Sequence, residues 1–103
     1  MAISEQEYHE LERLAAKIRL DTLCSIKKMG QGHLGGSFSI VELLAFLYGK
    51  QLRVNPQDPQ WADRDRLVLS KGHAGAALYS ALANTGYFDR SWLWTINEGG
   101  TRL

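Results

Sequence analysis

Only one short stretch of this sequence has the pattern of a β-strand. Leu67-Val68-Leu69 is an apolar run that follows a charged segment and ends at Ser70-Lys71-Gly72. An uninterrupted apolar run of this kind is typical of a parallel strand that is buried on both faces. One strand cannot form a sheet by itself. The pattern therefore predicts a mostly helical α/β unit, whose neighbouring strands come from a partner or from a larger domain.

The first helix is predicted from about Glu5 to Met29. Ser4 and Glu7 have the spacing of a capping box, and Gly30 suits the position just past the helix end. Four residues repeat with the i, i+3, i+4, i+7 spacing of one helical face: Leu11, Leu14, Ala15 and Ile18.

The second helix is predicted to begin at a capping box, Ser39-Ile40-Val41-Glu42, and to end near Gly49 to Gln51. Its apolar face consists of Ile40, Leu43, Leu44 and Leu47. The segment Asn55–Pro59 contains two prolines and predicts a turn-rich connection.

A third helix is predicted over the alanine-rich segment from Ala74 to Ala83, closing near Gly86. Asp89 is expected to cap a last short helix that carries Trp92, Leu93 and Ile96.

Composition restricts the kinds of partner. The chain has 103 residues, 45% of them apolar, and a net charge of +1 without a basic run, which argues against nucleic-acid binding. No apolar run approaches the length of a membrane span, and the acidic start does not resemble a signal peptide. Cys24 is the only cysteine. We therefore expect a cytoplasmic protein without a membrane or nucleic-acid partner.

Two histidines lie in segments that open the backbone between regular elements. His33 lies in Gly32–Gly36, where glycines permit close approach to the main chain. His73 follows the predicted strand and precedes a helix, an arrangement that presents N–H groups to a phosphate. Lys71 can add positive charge there or point into water. On these patterns alone, an ordinary glycine-rich connector explains the His33 segment better than a ligand site does. An ordinary strand–helix turn explains the His73 segment as well as a phosphate site does.

Other chemically notable residues are expected to be structural. His9 lies on the polar side of the first helix, and Cys24 has no charge pattern of an activated thiolate. The aromatic residues of the second half are expected in a core or interface: Tyr79, Tyr87, Phe88, Trp92 and Trp94.

The two histidine segments together resemble the start of transketolase. The stretches that carry the resemblance are GHLGGSFSIVELLAFLY and DRDRLVLSKGHAGAALYSALANTGYF, which contain Gly-His-x-Gly and Ser-Lys-Gly-His. The likeness extends over nearly the whole chain. It is strongest to the N-terminal subunit of transketolases that are split into two chains.

This resemblance implies a thiamine diphosphate-binding fold, a parallel sheet wrapped by helices, of which residues 1–103 form an incomplete N-terminal portion. It implies transfer of a two-carbon ketol unit between sugar phosphates, with thiamine diphosphate held through magnesium. By matching positions, His33 is a catalytic residue near the substrate. His73 contacts the diphosphate and is also counted as catalytic, while Gly36 and Lys71 border the cofactor.

The resemblance also implies elements that this sequence lacks. The family binds magnesium through a Gly-Asp-Gly segment and a later asparagine, and this chain contains no Gly-Asp dipeptide. We expect a C-terminal transketolase subunit or domain to complete the site, and we expect the chain alone to be inactive. Two alternatives stay open: a deoxyxylulose-phosphate synthase type of enzyme, and a non-catalytic remnant that acts only by association.

An oligomer is expected as well. Family members build active sites between chains, and the apolar faces Leu11–Ile18 and Ile40–Leu47 are predicted to stay partly open in a monomer. We expect a homo- or hetero-oligomer with the first two helices partly at an interface.

Overall fold

A computed structural model of the chain describes residues 4–29, 34–70 and 75–95. The α-helices are α1 (Glu5–Met29), α2 (Leu34–Phe38), α3 (Val41–Phe46) and α4 (Gly75–Asn84). A π-helical segment, Leu47–Gln51, continues α3, and a 3-10 helix covers Arg90–Thr95. No helix within these residues is long and apolar enough to cross a membrane.

Helix α1 has the predicted bounds and the predicted cap. The Glu7 amide donates to Ser4 Oγ at 3.1 Å, and the Ser4 amide donates to Glu7 Oε1 at 3.3 Å. These reciprocal bonds satisfy two amides that the first helical turn leaves without partners. The capping box therefore fixes where the helix begins.

The second helical region differs from the prediction at its start. A short helix, α2, already begins at Leu34, so Gly35 and Gly36 are helical and the connection is shorter than expected. Helix α3 begins at Val41, with Ile40 at the cap position and no side-chain cap hydrogen bond. The predicted capping box at Ser39 is wrong because the Ser39 amide donates to the Gly35 carbonyl at 3.1 Å and the Glu42 carboxylate pairs with Arg19 of α1.

The predicted strand is not formed within the described residues. Residues 64–70 have no regular secondary structure, and Val68 is 89% exposed. Leu67 packs against the core, so only part of this apolar run is buried. The physical reason is that a strand is defined by hydrogen bonds to a neighbour, and no described segment supplies them.

Helix α4 ends as its sequence predicts. Gly86 has a φ of 98°, a conformation that favours glycine, and the Tyr87 amide donates to the Leu82 carbonyl at 3.0 Å. Asp89 then caps the next helix, because its Oδ1 accepts from the Ser91 amide at 2.8 Å. That last helix forms over Arg90–Thr95 with 3-10 geometry and carries Trp92 and Leu93, whereas Ile96 lies outside the described residues.

The main core lies where α1, α3 and α4 meet. Its buried residues are Ala15, Ile18, Val41, Leu44, Ala45, Ala77 and Ala81. The expectation that the Leu11–Ile18 and Ile40–Leu47 faces stay partly open is met only in part, since Leu43 is 56% exposed whereas Ala15, Ile18 and Leu44 are buried. These faces bury their central residues against each other and against α4, because alanines in α4 allow the helices to approach closely.

A second, smaller cluster joins α4 to the 3-10 helix. Ala83 and Leu93 are buried there, and Tyr79, Phe88 and Trp94 pack around them. Phe88 and Trp92 stack with ring centroids 5.2 Å apart, and Tyr87 meets Tyr48 edge-on at 6.0 Å. The aromatic residues thus have the packing role that the sequence predicted.

A buried carboxylate ties three elements together. Asp21 of α1 is 1% exposed and accepts two hydrogen bonds from Arg90, at 2.7 and 2.9 Å. Asn84, the last residue of α4, donates to Asp21 Oδ2 at 2.7 Å. Burial by itself raises the pKa of Asp21, but the hydrogen bonds from Arg90 and Asn84 outweigh it, so the pKa is lowered.

Replacing Arg90 by methionine should destabilise the fold. Arg90→Met keeps the apolar part of the side chain but leaves the Asp21 carboxylate with Asn84 as its remaining donor. We expect the free energy of unfolding to fall by about 2 kcal/mol, less than for a fully buried pair because the Arg90 side chain is 56% exposed. Urea denaturation followed by circular dichroism measures this, with the exposed Arg66→Met as the matched control.

The same variant should have a distinct pH dependence. In the natural chain the lowered pKa of Asp21 means that its contribution is present above the unfolded pKa, about 4, and is lost as pH falls through the folded pKa. In Arg90→Met, burial raises this pKa, so acidification relieves an unpaired charge. The stability difference between the two proteins should therefore shrink below about pH 4. An equal difference at pH 7 and pH 3 would contradict this role of Asp21.

Gly49 allows the π-helical segment to lie close to α1. A Cβ atom placed on Gly49 would lie 2.8 Å from Leu11 Cδ2 and 2.9 Å from Leu14 Cδ2. Both distances are shorter than van der Waals contact, so a larger residue must displace these side chains.

We predict that Gly49→Ala lowers the free energy of unfolding by about 1 kcal/mol through overpacking. The double variant Gly49→Ala/Leu11→Val should recover part of this loss, because the shorter side chain removes one clash. Gly35→Ala is the control, since its Cβ meets no atom within 4 Å and alanine favours the helix. Thermal unfolding measures all three; equal losses for both glycines would contradict the packing explanation.

Candidate functional site

The histidine segments adjoin two elements that are in contact. The segment with His33 leads directly into α2, and the segment with Lys71 and His73 leads directly into α4. His33, Lys71 and His73 themselves lie outside the described residues. Gly36 is within α2. What the structure shows of the candidate site is therefore the position of α2, which follows the His33 segment, and of α4, which follows the segment with Lys71 and His73.

Helices α2 and α4 pack against each other, and both pack against α1. Phe38, the last residue of α2, lies against the same core cluster as Ala77 and Ala81 of α4. The Arg19 guanidinium of α1 lies 5.8 Å from the centre of the Phe38 ring. Because α2 has only five residues, about 7.5 Å of helix, its whole length stays close to these contacts.

The two ends of α4 have different surroundings. Its C-terminal residue, Asn84, is fixed to Asp21 of α1 and to the Ser80 carbonyl, at 2.7 and 2.8 Å. Its N-terminal end adjoins the Lys71–Ala74 segment, and its first turn contains no acidic residue. The free amides of a helix N-terminus carry partial positive charge, so this end is electrostatically suited to an anion.

Helices α2 and α4 each contain one fully buried serine. Ser37 of α2 and Ser80 of α4 are fully buried, and their hydroxyls have no hydrogen-bond partner among the described residues. A buried hydroxyl without a partner costs free energy, and such groups are uncommon. Since neither hydroxyl reaches the surface in this structure, neither can contact a dissolved ligand directly. Sequence reasoning did not single out either residue, because serine within a helix is unremarkable.

Asp21 was also missed, although the sequence contains a signal for it. The residue continues the buried stripe of α1, three positions after Ile18 and one before Thr22, all of which are buried. A carboxylate on an apolar face indicates a buried partner. The partner Arg90, far along the chain, could not be identified by spacing.

His9 and Cys24, which the sequence predicted to have no catalytic role, lie on α1 as expected. His9 is exposed on α1, with Nδ1 3.2 Å from Glu12 Oε1 and Nε2 3.8 Å from Glu5 Oε1. Cys24 is exposed as a free cysteine. Across residues 4–29, 34–70 and 75–95, no group of three or more potential ligands could hold a metal ion.

An open surface groove lies elsewhere on the molecule. It is lined by Tyr48, Val54, Pro59, Arg64, Asp65, Arg66, Leu67, Val68 and Tyr87. These residues come from the π-helical segment and from the loops on either side of α4, and not from α2 or α4. The groove is therefore separate from the α2–α4 contact.

Comparison with known proteins gives a match over both histidine segments. Residues 11–93 match the family described as transketolase, thiamine diphosphate binding domain. The chain is 52% identical over 101 residues to the 6-deoxy-6-sulfo-D-fructose transketolase subunit SqwG of Clostridium sp. (strain MSTE9), covering 98% of this chain. It is 43% identical over 77 residues to transketolase of Treponema pallidum and 41% identical over 76 residues to transketolase 1 of Escherichia coli.

The chain corresponds to only part of each relative. It spans 36% of the length of the SqwG subunit and 12% of each of the other two proteins, which match 75% and 74% of this chain. The family match covers His33, Gly36, Lys71 and His73 in one continuous segment. This chain therefore belongs to the transketolase family, within its thiamine diphosphate-binding domain.

Proposed function

We propose that this chain supplies the N-terminal, histidine-bearing part of a transketolase active site. The complete site transfers a two-carbon ketol unit from a ketose to an aldose phosphate. The observation that carries the proposal is the packing of α2 against α4, because these helices directly follow the two histidine segments. Because the chain belongs to the transketolase family, we interpret the two histidine segments as parts of its active site.

The N-terminal end of α4 fits the diphosphate of thiamine diphosphate. Its first turn has no acidic residue to repel an anion, and His73 and Lys71 immediately precede it. In the proposal His73 donates a hydrogen bond to a diphosphate oxygen and Lys71 adds positive charge. Gly36, without a side chain, lets the α2 backbone border the cofactor. When bound, the cofactor supplies the carbanion chemistry that breaks and forms the carbon–carbon bond.

His33 is proposed to act on the substrate side of the same site. An imidazole can hydrogen-bond the oxygens of a sugar and move a proton near neutral pH. Its position directly before α2 ties its main chain to a helix packed on the core. The donor is proposed to be a ketose phosphate or, by analogy with the SqwG subunit, 6-deoxy-6-sulfofructose.

Magnesium does not fit the residues of this chain. The described residues contain no cluster of potential ligands, and the full sequence has no Gly-Asp pair. Magnesium normally neutralises a diphosphate by bridging its oxygens. The proposal therefore assigns the metal ligands to residues of the complete enzyme outside 1–103. A C-terminal transketolase subunit or domain is the proposed partner, in a hetero- or homo-oligomer in the cytoplasm.

The chain alone should bind thiamine diphosphate weakly and transfer no ketol unit. Without metal ligands, one helix end with Lys71 and His73 must compete with water for a multiply charged group. We expect a dissociation constant above about 1 mM, equivalent to less than about 4 kcal/mol of binding free energy. Isothermal titration with thiamine diphosphate and Mg²⁺ measures it; a micromolar constant would refute the proposal that the site needs metal ligands from outside residues 1–103.

Activity can be tested in a complete enzyme. Residues 11–93 should replace the matching segment of Escherichia coli transketolase 1 and retain ketol transfer. In this chimera, His33→Ala should lower kcat by about 10²- to 10⁴-fold, and His73→Ala should weaken cofactor binding by about 10- to 100-fold. The matched control is Arg13→Ala, an exposed residue of α1 within the transferred segment, which should leave both kcat and cofactor binding unchanged.

The donor panel should contain both a ketose phosphate and 6-deoxy-6-sulfofructose. A folded chimera whose activity is unaffected by His33→Ala and His73→Ala would contradict the proposal. Circular dichroism and gel filtration establish folding independently of activity.

A further inference from the structure

Helix α2 is too short and too rich in glycine to hold its position by itself. It has five residues, and two of them, Gly35 and Gly36, favour a helix less than almost any other residue does. Isolated helices shorter than about 12 residues are marginal in water. The position of α2, and of the His33 segment that leads into it, therefore depends on contacts with the rest of the chain.

Two kinds of contact hold the C-terminal end of α2. Ser37 is fully buried, and Phe38 packs against the main core cluster. Apolar packing of this kind keeps the helix on the core but is not directional. The second contact comes from Arg19 of α1, whose guanidinium lies 5.8 Å from the centre of the Phe38 ring, within the range of a cation–π interaction.

The same guanidinium also binds α3. Arg19 Nη2 donates to Oε1 of Glu42, which lies in the first turn of α3. This hydrogen bond favours the ionised carboxylate and lowers the pKa of Glu42 below its ordinary value. Only Ser39 and Ile40 lie between α2 and α3. One side chain of α1 therefore contacts both sides of the α2–α3 junction.

We propose that Arg19 is a positioning residue of the active site. Through Phe38 and Glu42 it holds the α2–α3 junction against α1, and it thereby fixes the main chain of the segment that carries His33. The inference rests on the proposed function, in which His33 acts on the sugar substrate. Arg19 contacts neither substrate nor cofactor in this role and acts through His33.

The exposure of the ion pair separates this role from one in overall stability. The Arg19 side chain is 40% exposed and the Glu42 side chain is 66% exposed. Ion pairs with this much exposure contribute little to the free energy of folding. Loss of Arg19 should therefore leave the fold intact and let α2 shift. A small misplacement of a catalytic group is enough to lower the rate strongly.

The effect should fall on His33 more than on His73. Within the described residues, the contacts of Arg19 given above are with side chains of α2 and α3, whereas the His73 segment leads into α4. We therefore expect loss of Arg19 to lower kcat while cofactor binding stays the same.

The chimera with Escherichia coli transketolase 1 tests this, because residues 11–93 include Arg19. Arg19→Met keeps the apolar part of the side chain and should lower kcat about tenfold, with the dissociation constant of thiamine diphosphate unchanged within about twofold. Arg19→Lys keeps the positive charge and should retain kcat within about threefold of the parent. The matched control is Arg13→Met, an exposed arginine of the same helix, which should leave kcat unchanged.

A double-mutant cycle tests whether Arg19 acts through His33. If it does, Arg19→Met/His33→Ala should lose no more kcat than His33→Ala alone, within about twofold. A residue that only stabilises the fold would add its own loss to that of His33→Ala.

Hydrogen exchange in the chain itself gives a readout that does not depend on activity. The Ser39 amide donates to the Gly35 carbonyl at 3.1 Å and so reports on α2. Its exchange should become about fivefold faster in Arg19→Met and stay unchanged in Arg13→Met. Glu42→Gln removes the ionised partner of Arg19 and should cause a smaller change in the same direction. It provides the same test if Arg19→Met does not fold.

The outcomes distinguish this inference from the proposed function. An unchanged kcat in Arg19→Met, an equal loss in Arg13→Met, or a loss that adds to that of His33→Ala would each overturn the role of Arg19 and leave the proposed function intact. Unaltered exchange of the Ser39 amide in both Arg19→Met and Glu42→Gln would overturn it as well. An unchanged kcat in His33→Ala would remove the proposed function, and this inference with it.

Discussion

Burial of one face of α1 is the constraint on which the rest of the structure depends. Four other helices in the described part of the chain pack against α1: α2, α3, α4 and the 3-10 helix. Its central residues Ala15 and Ile18 meet both the α3 and the α4 contributions to the core. Apolar area removed from water along this single face provides the main favourable free energy for a chain without a described sheet. Every other element takes its position relative to α1.

Polar groups then determine which arrangement of these helices is adopted. Apolar packing is not directional, but the Asp21 carboxylate accepts from Arg90 and Asn84 at fixed angles and distances. These bonds fix the C-terminal end of α4 and leave its N-terminal end adjacent to the segment that carries His73. The candidate site thus depends on α1 in two ways. Core residues of α1 pack against α2 and α4, and Asp21 of α1 holds the C-terminal end of α4.

Local signals in the sequence predicted the elements that local interactions determine. The Ser4–Glu7 capping box, the Gly86 turn and the Asp89 cap are contacts between residues a few positions apart, and all three are confirmed. The second capping box was wrong because Arg19, twenty-three positions away, takes the Glu42 carboxylate. The strand predicted at Leu67–Leu69 is not formed within the described residues for a related reason, since a strand needs a hydrogen-bonded neighbour and no described segment supplies one. For the candidate site, family resemblance predicts which residues take part. The α2–α4 contact and the hydrogen bonds of Asp21 could be found only in the structure.

In the proposed enzyme, His33 and His73 serve one cofactor site built on the α2–α4 contact. The most direct measurement is a crystal structure of the active chimera with thiamine diphosphate and magnesium bound. We expect both imidazoles to line the same cavity, with His73 within hydrogen-bonding distance, about 3 Å, of a diphosphate oxygen. Rings of His33 and His73 that face separate cavities, with the cofactor in contact with neither, would contradict it.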